Sequence, residues 1–203
     1  MYPGQFQQPD EYYWEPEPPP KKSFLKRVLH LTREFLETIV PAVLIALLIN
    51  LFLAQATRVY GQSMEPNLHT DQRLIVEKLS YNPYFRHYLG FSGPERGDVV
   101  VISLQTQGDE LLIKRVIGLP GDVIEIHNGT VYVNGQILAE PYLADSTTGS
   151  FGPTTVPPLH IFVLGDNRDF SNDSRSFGTV PLSDVVGRAW FSYWPVEQVG
   201  FVR

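Results

Sequence analysis

Val59-Tyr60-Gly61-Gln62-Ser63-Met64-Glu65-Pro66-Asn67-Leu68 is a turn-forming stretch set just beyond a long apolar run, Phe35 to Ala56. Glycine before a serine and proline after it hold the serine on a tight turn with its hydroxyl presented outward. At Lys114, 51 residues later, a lysine interrupts the otherwise apolar segment Leu111 to Ile117. A serine hydroxyl and a lysine amine brought together have the chemistry of a nucleophile and its base. Whether the fold brings them together is therefore the question on which the rest of the chain turns.

On the N-terminal side, residues 35–56 contain only Glu37, Asn50 and Gln55 as strongly polar side chains. As one helix they would reach about 33 Å, against a hydrocarbon core of about 30 Å. Pro41 falls in the first turns, where its missing amide matters least. The segment 21–34 carries Lys21, Lys22, Lys26, Arg27 and Arg33, so the charge bias places the N-terminus in the cytoplasm and residues 57–203 outside. An amphipathic surface helix over 23–38 is compatible with this arrangement. Residues 1–20 hold four acids, many prolines and no Lys or Arg, and read as a disordered tail. Ala54-Gln55-Ala56 also resembles a small-x-small cleavage site, but the long polar leader favours a retained anchor over a cleavable signal.

Residues 57–203 are expected to form a mostly β domain. Hydrophobic residues make up 43% of the 203-residue chain and charged residues 19%, enough apolar material for a core. Net charge of −6 argues against nucleic acid as a partner. The chain has no cysteine, which excludes disulfides and thiolate metal sites, and no metal or cofactor is expected. Strands are expected at 73–79, 98–103, 111–117, 123–127, 130–133, 136–138, 161–164 and 185–194, the last ending in aromatics around Trp190 and Trp194. Leu119-Pro120-Gly121-Asp122 suits a type II turn, and Asn128-Gly129 and Asn134-Gly135 suit tight hairpins. The sequons at Asn128 and Asn172 are read as turn chemistry rather than sugar sites. Residues 144–158 read as a polar, proline-rich loop. Residues 80–96, with Tyr81, Tyr84, Phe85, Tyr88 and Phe91, read either as a loop packed on the sheet or as an aromatic lip on lipid headgroups. Arg96-Gly97-Asp98 is a turn entering a strand.

Alternation along 111–117 puts Leu112, Lys114 and Val116 on one face and Ile113, Arg115 and Ile117 on the other. Aliphatic neighbours on that face would desolvate the amine and lower its pKa, whereas an ordinary lysine would snorkel to solvent and keep its charge. A general base near neutral pH requires a drop of roughly three units from about 10.4, or about 4 kcal/mol. Burial can supply that; an exposed lysine cannot.

Three ordered motifs follow the apolar run. They are Val-x-Gly-x-Ser-Met-x-Pro from Val59, Lys114-Arg-Val-Ile-Gly-Leu-Pro-Gly-Asp122, and Gly165-Asp-Asn-Arg-Asp-Phe-Ser-Asn-Asp-Ser-Arg175. Together they resemble the signature boxes of the type I signal peptidases, membrane-bound serine proteases that remove signal peptides from exported preproteins. The resemblance runs from Lys21 to about Trp194. It implies a signal-peptidase-like all-β fold behind a single membrane anchor, with signal-peptide-bearing preproteins and the lipid bilayer as partners. It implies Ser63 as nucleophile, Lys114 as general base, and the Ser63 backbone N–H in the oxyanion hole. Gly61 stands where many bacterial relatives have a hydroxyl, so a second donor comes from the backbone there, a water or elsewhere. Ser171 is implied to hydrogen-bond the lysine amine, while Asp166 pairs with Arg115 and Asp173 with Arg175 in support. Asn67 stands where threonine is usual and Phe170 where asparagine is common.

By the same resemblance Val59, Met64, Leu68, Leu112 and Ile113 line shallow pockets for small residues at the first and third positions before the cut. The substrate would bind as an extended strand. Ser63 lies seven residues past Ala56, a reach of at most about 25 Å from the anchor. Among other readings, a Ser-His-Asp hydrolase would draw on His69, His87, His127 or His160, none of which sits in a recognisable box. A serine-lysine self-cleaving repressor would need a DNA-binding helix pair before the domain. A non-cutting, membrane-anchored β-domain that binds exported proteins would look similar in sequence.

Overall fold

The structure, a computed structural model, describes residues 24–82, 88, 90, 93–104, 110–144 and 148–202. The tail 1–20, His87 and most of the aromatic segment (Tyr84, Phe85 and Phe91 included) lie outside these residues. The chain divides between Leu44 and Ile45 into two units. Helix α1 spans Phe24–Leu48 and a π turn follows at Ile49–Leu53. The helix thus starts earlier and ends sooner than the apolar run suggests. Apolar side chains are exposed all round its second half, Ile39, Val40, Val43, Leu44 and Leu47 among them. Arg33, Glu34 and Glu37 interrupt its first half, so the charge-free stretch begins only at Thr38. Among the described residues no helix is long and apolar enough to cross a membrane.

Ala54 to Ala56, expected in that helix, are strand instead. β1 (Ala54–Arg58) pairs antiparallel with β2 (Arg73–Glu77), Ala54 opposite Glu77 and Arg58 opposite Arg73. The pairing satisfies backbone groups that a helix end would leave open. The strands that follow are β3 (Val99–Leu104), β4 (Glu110–Gly118), β5 (Val123–His127), β6 (Thr130–Val133), β7 (Gln136–Ile137), β8 (Phe151–Thr155), β9 (His160–Leu164), β10 (Val180–Pro181), β11 (Val185–Trp194) and β12 (Gly200–Phe201). They make a mostly β fold of two sheets. The larger runs β1-β2-β11-β3-β4-β9-β10 with β12 on β11, and the smaller runs β7-β6-β5-β8.

Local signals account for most of the turns. Asn128 and Asn134 take positive φ ahead of their glycines, the geometry of a tight hairpin turn. Asp122 N–H donates to Leu119 O at 3.0 Å across Pro120-Gly121. β8 is the clearest departure, because the loop expected at 144–158 contains a strand. It pairs with β5 at the edge of the small sheet, where Pro153 has no ladder partner to lose. Tyr81 belongs to no lip: it is buried, and its hydroxyl donates to Asp98 Oδ2 at 2.6 Å. Arg96 pairs with Asp122 at 2.9 Å, so Arg96-Gly97-Asp98 is bound into the turn before β3.

β4 is where the core is organised. Ile113 joins a cluster with Val59, Met64, Leu68, Leu74 and Val76. Leu112 and Val116 pack with Val100, Ile102 and Val163 on the other face. Ile117 packs with Ile124, Val131 and Phe162 between the sheets. The centre of this strand, around Lys114, is therefore buried on both faces.

Candidate active site

The turn carrying Ser63 is held from several directions. Gly61 has a φ of +77°, which an L side chain rarely adopts. Its carbonyl accepts from Thr70 Oγ1 at 2.9 Å. Asn67 and Leu68 N–H both donate to Met64 O, at 3.0 and 2.9 Å, and Met64 is anchored in the core. Ser63 O accepts the Asn167 N–H at 3.0 Å, which ties the turn to the loop 165–175. Among the described residues the Ser63 N–H donates to nothing, so it is free to meet an oxyanion.

Lys114 lies in the middle of β4, opposite Val100, and is only 3% exposed. Its Nζ lies 2.8 Å from Ser63 Oγ. Burial lowers the amine's pKa from 10.5 to about 8; Asp173 and Asp166 oppose the shift and Arg175 reinforces it. As ammonium, Nζ donates to the hydroxyl; as free amine, it accepts the hydroxyl's proton. A buried lysine with a lowered pKa against a serine hydroxyl is an arrangement suited to proton abstraction at mildly alkaline pH.

The neighbouring charges are built in. Arg115 and Asp166 form a bidentate pair, Nε to Oδ1 at 2.8 Å and Nη2 to Oδ2 at 2.6 Å, at 2% and 0% exposure. Arg175 pairs with buried Asp173 through Nε and Nη2 at 2.8 and 2.9 Å, and Asp173 Oδ2 also takes the Gly165 N–H. Gly165 itself has no room for a side chain. A Cβ there would lie 2.2 Å from Ser171 Oγ and 2.5 Å from Ser63 O.

Ser171 differs from its expectation. It sits against Gly165 beside the Ser63 turn, yet its Oγ is buried with no hydrogen-bond partner among the described residues, the Lys114 amine included. Of the pocket residues, Val59, Met64, Leu68 and Ile113 come together in one core cluster, while Leu112 packs on the opposite face of β4. Phe170 is exposed. None of His69, His127 and His160 hydrogen-bonds Ser63: His127 pairs with Glu125 and His160 Nδ1 faces Pro158 O. No cluster of acids and histidines suited to a metal occurs among the described residues.

Sequence reasoning missed a second layer of contacts. Arg168 pairs with Glu140, both buried, and its Nε donates to Gly165 O at 3.0 Å. The Tyr142 ring lies over the Arg115 guanidinium at 4.1 Å, a cation–π contact. Asn67 Nδ2 donates to both Tyr142 O and Asp166 Oδ2, each at 2.8 Å. The acid-and-aromatic triplet Glu140-Pro141-Tyr142 after a hairpin was the one clue available.

Comparison with known proteins identifies the family. The profile of the family described as "Signal peptidase, peptidase S26" matches residues 32–194. A probable signal peptidase I-2 of Synechocystis sp. is 40% identical over 191 residues, covering 92% of this chain and 80% of its own. A signal peptidase I of Leptolyngbya laminosa is 41% identical, covering 82% of each chain. The crystal structure of a signal peptidase I from Enterococcus faecalis is 36% identical over 48% of this chain and 97% of that one, with a TM-score of 0.44. With the profile spanning most of its length and relatives at this identity, the chain belongs to the signal peptidases of peptidase family S26.

Proposed function

We propose that this signal peptidase cuts preproteins with a Ser63–Lys114 dyad, after small residues at the first and third positions before the scissile bond, and that it works anchored to a bilayer. The observation that carries the reading is the 2.8 Å contact between Nζ and Oγ at a lysine that burial pushes down to about 8.

The free amine of Lys114 takes the Ser63 proton as Oγ attacks the scissile carbonyl. The ammonium then gives that proton to the leaving amine, and the regenerated base activates the water that hydrolyses the acyl-enzyme. The Ser63 N–H meets the developing oxyanion. The preference for small side chains is supported by the aliphatic residues around the turn, Val59, Met64, Leu68 and Ile113, which pack together in one cluster against which a larger side chain would clash. Anchoring is supported by the second half of α1, whose apolar side chains are exposed on every side, as suits lipid rather than water.

The test is cleavage of a labelled preprotein by the full chain in detergent. Ser63→Ala and Lys114→Ala each abolish cleavage. Lys114→Arg fails as well, because a guanidinium does not deprotonate. Activity retained in either alanine variant refutes the dyad.

A further inference from the structure

The segment Glu140-Pro141-Tyr142 leaves the small sheet after β7 and touches each of the three sequence motifs that surround the dyad. Tyr142 O accepts from Asn67, four residues past Ser63, at 2.8 Å. The Tyr142 ring covers the guanidinium of Arg115, the residue after Lys114, at 4.1 Å. Glu140 pairs with Arg168 in the third motif, and its Oε1 also accepts the Tyr142 hydroxyl at 2.7 Å. We propose that Glu140 and Tyr142 are positioning residues: a strap from the small sheet that sets the distance between Ser63 and Lys114 through Asn67, Arg115 and Arg168.

Alternatives for the same contacts are weaker. A strap that only stabilised the fold would need no polar link to the Ser63 turn. Yet Asn67 spends both of its amide protons on Tyr142 O and on Asp166, itself bound to Arg115. The path Ser63 turn, Asn67, Asp166, Arg115, Lys114 is thereby closed by hydrogen bonds and one peptide bond. A substrate-binding role is disfavoured because the Glu140 and Arg168 side chains, 7% and 2% exposed, are paired with each other. Buried charge pairs hold one geometry well, since either member left alone is strongly disfavoured.

This inference rests on the Ser63–Lys114 reading, so Lys114→Ala is assayed alongside. Glu140→Gln, Tyr142→Leu and Asn67→Ala are made in the full chain, with kcat, KM and the pH dependence of kcat measured well below each variant's melting temperature. Asn67 is exposed on its outer side, so its truncation spares the fold if the other two do not fold. A misplaced reacting pair loses up to about a hundredfold in rate, and kcat is expected to fall at least tenfold with KM within twofold. The rising limb of the pH profile is expected to move up by about half a unit to one unit as water reaches the amine among Asp166, Asp173 and Arg175. Tyr142→Phe, which keeps the ring and the carbonyl, is expected to recover most of the rate lost in Tyr142→Leu. Melting temperatures that fall while kcat and the pH limb stay put overturn the proposal, and so does a rise in KM at constant kcat. If Lys114→Ala still cleaves, the dyad and the strap fall together; if it does not and the strap variants match the parent, the strap alone is wrong.

Discussion

Lys114 shows how much one buried amine decides. At pH 7, a base with a pKa of about 8 is free amine about a tenth of the time. The rate should therefore climb about tenfold per pH unit below 8 and level off above it, as read from kcat for a preprotein between pH 6 and 10. Stability follows the same group with a definite sign. The folded state disfavours the ammonium, so this contribution is unfavourable by about 3 kcal/mol below pH 8, where the group is charged in both states. It is relieved between about 8 and 10.5 as the folded amine loses its proton first. Lys114→Met, inactive but similar in reach, should be more stable than the parent at pH 7, with the gap closing toward pH 10.5 in denaturant titrations. The aliphatic neighbours Leu112 and Val116 left both a desolvated and a snorkelling lysine open in the sequence, and the fold decided for burial. The lack of a partner on Ser171 Oγ was not legible in the sequence, because it depends on where Gly165 places the loop.

The loop 165–175 acts as an element rather than as separate residues. Its first residue must be glycine, since a Cβ would meet both Ser171 and the Ser63 carbonyl. Gly165→Ala is expected to push the Ser63 turn away from Lys114. Displacement of about an ångström costs about a hundredfold in rate, so kcat should fall by that order in preprotein cleavage. The fold tolerates one methyl group far better, and far-UV circular dichroism should be unchanged. The same loop holds two arginines with different partners: Arg175 turns back on Asp173 two residues away, and Arg168 reaches Glu140. The near pair was implied by the family resemblance, but the far one needed the fold, because nothing local ties residue 168 to residue 140.

At the scale of the whole chain, the dyad stands on the larger sheet and the strap comes from the smaller one. Each sheet is therefore part of the proposed site. Deleting residues 1–20 is expected to leave kcat and KM for a detergent-solubilised preprotein within twofold of the full chain. A larger change would mean that the tail engages substrate or enzyme.

Sequence alone determined what depends on neighbours along the chain. The Gly-x-Ser turn, the Asn-Gly hairpins at 128 and 134, and the two faces of β4 all follow from local φ preferences and a period of two. Tertiary structure alone decided that Ala54–Arg58 is a strand on β2, that Phe151–Thr155 pairs with β5, and that Glu140 meets Arg168 and Tyr142 covers Arg115. The physical reason is common to all three. Each depends on backbone groups or charges that must find partners far away in sequence, and only the packed chain says which of them are within reach.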